Sequence, residues 1–133
     1  MAETSEQTPI KRKVIVADDD ETIATTLELI LKQAGFEARA VFNGEQLIEL
    51  LDTFEPEIMI IDVVMPGMTG IEVAIAVRNG IPVCKILLFS GQAATADLLE
   101  QAKTHGHEFE IVAKPIHPSD LLAKLGVSNI IYS

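Results

Sequence analysis

The chain has 133 residues, 48% of them apolar, which is enough for one domain with a real core, and no apolar run approaches the length of a membrane span. A formal net charge of −10 opposes nucleic acid and anionic membrane surfaces and favours a basic partner or a divalent cation. The single cysteine, Cys84, excludes an intrachain disulfide and accords with a cytoplasmic setting.

The opening MAETSEQTPIKRK is polar, has no apolar segment before a cleavage site, and reads as a short flexible tail, not a secretory signal. VIVA (14–17) then runs straight into Asp18, Asp19 and Asp20. Ile23, Leu27, Ile30, Leu31 and Ala34 mark one face of a first helix, with Gly35 as its stop. ARAVF (38–42) is the next strand-like run, followed by a second helix on Leu47, Leu51 and Phe54, closed by Pro56. IMII (58–61) ends on Asp62, and GIEVAIAVRNG (70–80) reads as a third helix. Cys84 precedes KILLF (85–89) and reads as a small buried hydrophobe. Ser90-Gly91 follows that run, and a fourth helix marked by Leu98, Leu99 and Ala102 ends near Gly106. FEIVA (109–113) leads to Lys114 and Pro115, and HPSDLLAKLG (117–126) is a fifth helix, opened by Pro118-Ser119. The last segment, VSNIIYS, reads as an apolar end that packs on the body.

Short runs that are apolar throughout are strands buried on both faces, so the sheet is parallel. The alternation predicts an α/β fold, a five-stranded doubly wound sheet in the order 2-1-3-4-5, without repeats or an interdomain linker. In open sheets of this kind sites form at the carboxyl ends of the strands. That gathers Asp18, Asp19, Asp62, Ser90 and Lys114 into one acidic pocket holding one hydroxyl and one ammonium. Converging carboxylates either protonate or bind a hard cation, and an oxygen-only set suits Mg²⁺ beside a phosphoryl group. Lys114 supplies a point charge for phosphate oxygens, Ser90 a hydrogen-bond donor, and Gly91 an unobstructed backbone. These are the parts of a phosphoryl-transfer site with a carboxylate nucleophile.

VIVADDD, IMIIDVVMPGMTGIEV, ILLFSG and VAKPI, in that order, resemble the receiver domain of bacterial two-component response regulators, of the chemotaxis-regulator type. The most specific stretch, DVVMPGMTGIEV, is similar to the family's Asp-x-x-Met-Pro-x-x-x-Gly loop. The resemblance implies a flavodoxin-like receiver over 13–126, with tails at 1–12 and 127–133. It implies that Asp62 is the phosphoacceptor and that Asp18, Asp19, Asp62 and the backbone carbonyl of Val64 hold Mg²⁺. It makes Ser90 the switch hydroxyl, Lys114 the lysine that pairs with Asp62 and then with phosphate, and Pro115 a proline in a cis bond that aims Lys114. It implies a histidine kinase or phosphotransfer protein as donor and an unknown downstream protein as target.

Other residues read plainly. Asp20 is a helix N-cap or a first-turn acid, Met65 and Met68 are loop and packing residues, Pro66 and Gly67 are turn chemistry, and His105, His107 and His117 lie exposed in polar loops. Two features depart from the family. Ile111 stands where receivers usually carry a switch aromatic, the nearest being Phe109, so output is expected not to depend on an aromatic rotamer flip there. Val64 and Gln92 stand at positions that tune loss of the phosphoryl group, and an apolar Val64 predicts a long-lived phosphoryl state.

The reading is a non-enzymatic, stand-alone receiver, a monomer or weak dimer, that acts on a partner by direct contact without nucleic acid or membrane insertion. The alternatives are a phosphate-independent interaction module of the same fold, a flavin binder and an aspartate-based phosphohydrolase. The acidic first loop opposes flavin, whereas Asp18-Asp19-Asp20 contains the Asp-x-Asp that a phosphohydrolase would use.

Overall fold

The computed structural model describes residues 12–65, 67, 69–81, 83–91, 100, 103, 104, 106 and 109–127. Strands β1 (Lys13–Ala17), β2 (Glu37–Val41), β3 (Ile58–Asp62), β4 (Lys85–Ser90) and β5 (Glu110–Ala113) alternate with helices α1 (Glu21–Gln33), α2 (Gly44–Leu51), α3 (Gly70–Gly80) and α4 (Pro118–Lys124). The strands form one sheet in the order β2-β1-β3-β4-β5, all neighbours parallel. This is the doubly wound order expected from the alternating pattern.

Side chains leave a strand on alternate faces. Ile15, Met59, Ile61 and Leu88 therefore meet Leu47 of α2 and Val73 and Val77 of α3 on one face. Val14, Val16, Ile60 and Leu87 meet Leu27 and Leu31 of α1 and Leu121 of α4 on the other. β3 is buried along its whole length, which is why its sequence shows no polar alternation. Truncating a fully buried member such as Ile60 or Leu88 to alanine removes about 2–5 kcal/mol.

The helices start where side chains accept their free N–H groups. The Asp20 carboxylate accepts from the backbone of Thr22 and Ile23, as the N-cap reading requires. Thr69 and Glu72 form a reciprocal capping box at α3. At α4 the cap is His117, whose Nδ1 accepts from the Ser119 N–H at 3.2 Å, a role its exposed position in the sequence did not suggest.

Some boundaries differ from expectation. α2 stops at Leu51, so Phe54 lies beyond it, buried, with the Lys13 ammonium 5.4 Å and the Arg39 guanidinium 4.8 Å from its ring. Pro56 disfavours helical backbone at the residue before it, and the chain leaves the helix ahead of it. α4 ends at Lys124, before Gly126 at φ +90°. Leu98, Leu99 and Ala102 of the expected fourth helix lie outside the described residues, but Glu100, Lys103 and Thr104 are helical. Of the final segment, Val127 packs against the α1–α4 face and 128–133 lies outside the described residues. No described helix is long and apolar enough to cross a membrane.

Candidate functional site

Strand register assembles the site. Ala17 pairs with Ile61, so the residues that follow, Asp18 and Asp62, emerge side by side. Asp62 pairs with Phe89, and Ser90 pairs with Ala113, which puts Ser90 and Lys114 one step beyond. Every sequence-predicted side chain of the pocket thus sits at the carboxyl end of β1, β3, β4 or β5. Carboxylate oxygens of Asp18, Asp19 and Asp62 lie within 4.8 Å of one another. Asp18 is wholly buried, Asp62 and Ser90 nearly so, and Asp19 is exposed.

Lys114 bridges the two buried acids. Its Nζ is 3.3 Å from Asp62 Oδ2, the pair the sequence implies, and nearer still, at 2.9 Å, to Asp18 Oδ2. Its backbone N–H donates to the Ser90 carbonyl at 2.9 Å, and the Lys114–Pro115 peptide is cis. The Asp20 N–H donates to Asp18 Oδ1 at 2.9 Å, and the Val64 N–H to Asp62 Oδ1 at 3.3 Å. Asp20 itself turns away into the helix cap, which separates it from the two acids before it.

Burial pushes the Asp62 carboxyl up from 3.8 to about 6, and the charge of Asp18 pushes in the same direction. Lys114 and the Val64 N–H pull it back only in part. For Lys114, burial disfavours the charge, but the hydrogen bond to Asp18 and the charges of Asp62 and Asp18 outweigh it and hold the ammonium above its ordinary value. The pocket is therefore short of positive charge. Three carboxylates with one ammonium, in an oxygen-only setting, can hold a hard divalent cation.

The backbone at Gly91 is unobstructed, and a Cβ there would only touch the Lys114 Cβ at 3.6 Å. The position that tolerates no side chain is Gly70, where a Cβ would overlap the Asp62 carbonyl and the Val63 backbone. The Gly70 N–H also donates to the Val63 carbonyl at 2.8 Å. Gly70 closes the loop that carries Asp62, and its signal in the sequence is the ninth position of DVVMPGMTG.

Ile111 is half-buried opposite Leu88, on the α2–α3 face. Phe109 precedes β5, with the Arg78 guanidinium 5.2 Å from its ring. Ser90 pairs with Ala113, four residues further on, so Phe109 belongs to the opposite end of the strand, roughly 13 Å away along its axis. Cys84 is buried, and burial pushes its thiol up to about 11, which keeps it an inert hydrophobe. Val64 is 58% exposed, Met65 is buried, and Met68 and Gln92 lie outside the described residues.

The response regulator receiver domain family matches residues 14–126. The chain belongs to that family. The receiver is 26% identical over 118 residues to the DNA-binding response regulator MtrA of Mycolicibacterium smegmatis, covering 87% of this chain and 50% of that protein. It thus spans about half the length of the curated relatives it matches. It is 27% identical to chemotaxis protein CheY4 of Vibrio cholerae, with a TM-score of 0.77, covering 88% of this chain and 98% of that one. It shares its fold with a CheY-like receiver domain protein from Methanospirillum hungatei JF-1, at 21% identity and a TM-score of 0.79, covering 88% of this chain and 92% of that one. Membership places the receiver in two-component signalling, among modules that relay a signal and are not enzymes of the usual kind.

Proposed function

We propose that this receiver accepts a phosphoryl group on Asp62 from a histidine kinase or phosphotransfer protein and thereby switches its binding to a downstream protein. The observation that carries this reading is the convergence of the Asp18, Asp19 and Asp62 carboxylates around Lys114 at the end of the sheet. Asp18, Asp19, Asp62 and the Val64 carbonyl would hold Mg²⁺. When bound, that ion supplies the charge that lets an anionic nucleophile meet an anionic phosphoryl group.

The chain's own residues do the rest. Asp62 presents an oxygen to phosphorus in line with the departing donor nitrogen, the P–N bond breaks as the O–P bond forms, and the donor imidazole leaves with its electron pair. Lys114, already against Asp62, stays with the new phosphoryl oxygens, and Ser90 donates a hydrogen bond to one of them. The inward movement of Ser90 biases the segment after β4, a local electrostatic event with a distant readout. Because Ile111 is aliphatic and Phe109 lies at the far end of β5, the readout does not run through an aromatic flip there. The exposed, apolar Val64 offers nothing to orient an attacking water, which supports a long-lived phosphoryl state. The charge of −10 supports a protein target reached by direct contact rather than nucleic acid, and on this proposal the receiver acts alone in the cytoplasm.

The test is incubation with acetyl phosphate or beryllofluoride and Mg²⁺, followed by intact mass or a chemical-shift map. The parent gains one phosphoryl group or shifts around the pocket, and Asp62→Asn does neither. A modification that persists in Asp62→Asn refutes the assignment.

A further inference from the structure

Lys114 leaves the end of β5, yet its ammonium contacts acids carried by β3 and β1. In the order β1-β3-β4-β5 its side chain must cross the end of β4 to reach them. The register says what lies beneath the crossing. Val112 pairs with Phe89, and Lys114, two residues past Val112, projects on the same face. Phe89 belongs to the α1–α4 face together with Val112, is 2% exposed, and lies beside Asp62 in the ladder. The Lys114 Nζ stands 6.0 Å from the centre of the Phe89 ring, within the range where the negative face of an aromatic ring attracts a cation.

We infer that Phe89 is a positioning residue for phosphoryl transfer, an aromatic shelf whose ring face holds the Lys114 ammonium over the Asp18–Asp62 pair. The inference rests on the function proposed for Lys114. An aliphatic residue at 89 would support the lysine stem equally well but would offer no partner to the charge. The ammonium is only partly enclosed, with the side chain 22% exposed, so the ring adds to the two acids in limiting its motion towards water. With it, the cation has a third attractive neighbour that bears no full charge and does not compete for the phosphoryl oxygens. The shelf holds Lys114 in reach of Asp62 before and after the acceptor changes its charge. Phe89 also borders a groove of about 450 Å³ between α1 and the Lys114–Pro118 segment, so the ring joins the pocket to that surface.

Progressive fluorination of the ring removes the negative face while nearly preserving shape. 4-Fluoro-, 3,5-difluoro- and 3,4,5-trifluorophenylalanine placed at 89 in the full chain are expected to slow acetyl phosphate labelling of Asp62 stepwise, by about threefold to tenfold across the series. Phe89→Tyr should keep the parent rate and Phe89→Leu should fall with the trifluoro form. The ring-current upfield shift of the Lys114 ε-methylene protons, read by NMR without any phosphoryl donor, should shrink in step. Flat rates and flat Lys114 shifts across the fluorinated series, with melting temperatures unchanged, overturn the inference, and a slow Phe89→Leu beside a flat series reduces Phe89 to packing. If the parent itself is not labelled, the proposed function fails while the Lys114 shift still decides the shelf.

Discussion

The two ends of the sheet treat charge in opposite ways. At the amino end each described cation next to the sheet is matched to a neutral or single acidic partner. The Arg12 guanidinium donates to the Leu125 carbonyl at 2.9 Å and the Lys85 ammonium to the Lys124 carbonyl at 2.6 Å, both at the negative end of α4. Lys13 and Arg39 lie over the Phe54 ring, and Lys124 pairs with Glu110 at 3.1 Å. At the carboxyl end two buried carboxylates share a single lysine, and a third, exposed, has an oxygen within 4.8 Å of theirs. The amino end is built to stay as it is. The carboxyl end stores an imbalance that a cation or a phosphoryl group can alter, and that is what a switch needs.

The sharpest way to break this contrast is to remove one lysine from each end. Lys114→Met leaves Asp18 and Asp62 buried and uncompensated, with an expected loss of about 3–5 kcal/mol at pH 8. The loss shrinks towards pH 5, where Asp62 protonates. Lys85→Met removes one exposed donor from a helix end and should cost below about 1 kcal/mol at any pH in this range. Urea midpoints of both variants at the two pH values measure the difference. Equal losses would mean that the two ends do not differ in the way the charges suggest.

Gly70→Ala tests the loop that carries Asp62. The added methyl meets backbone atoms of Asp62 and Val63, which cannot step aside as a flexible side chain would, and the expected cost is about 3 kcal/mol. Gly91→Ala, whose new methyl meets only the Lys114 Cβ, should stay within about 1 kcal/mol. Chemical denaturation orders the pair. A Gly70→Ala variant as stable as Gly91→Ala would show that the loop can shift, and Asp62 with it.

The pH dependence of Asp62 has an unusual sign. Its folded value, about 6, lies above the ordinary 3.8, so the folded state binds the proton more tightly than the unfolded state does. Stability from this group is therefore present below pH 4 and is lost as pH rises from about 4 to about 6. Asp62→Asn, a mimic of the protonated acid, should match the parent at pH 4 and exceed it at pH 8 by up to about 3 kcal/mol. Paired melts at the two pH values measure this. A constant difference between the two proteins would remove Asp62 as the seat of the strain.

The sheet was legible because apolar runs of four or five residues have few other uses, and the site was legible because the doubly wound order fixes which strand ends are neighbours. Asp18, Asp19, Asp62, Ser90 and Lys114 needed only that order and their places after the runs. What escaped depended on three-dimensional reach. Lys114 lies nearer to Asp18 than to Asp62 because the crossing over β4 brings its ammonium past one acid to the other, which no spacing encodes. The need for Gly70 comes from the Asp62 carbonyl standing where a side chain would begin. Phe54 looked helical by period, but a buried aromatic beyond a helix end satisfies the same pattern. The fourth helix stays an expectation over Leu98, Leu99 and Ala102.

The smallest expected effect separates the three adjacent aspartates. Asp20 differs from Asp18 and Asp19 by one geometric fact: its carboxylate faces the first turn of α1 instead of the pocket. Asp20→Ala should cost about 1 kcal/mol through the lost cap and leave the rate of Asp62 labelling within about twofold of the parent. Asp20→Asn, which still caps, should recover most of the stability. Asp19→Asn, an exposed change with little effect on melting, should instead abolish the Mg²⁺ dependence of labelling. The same labelling assay and the same melts, run on these variants side by side, assign each acid to the cap or to the pocket. An Asp20→Ala variant that labels as poorly as Asp19→Asn would draw the third acid into the site and end the distinction.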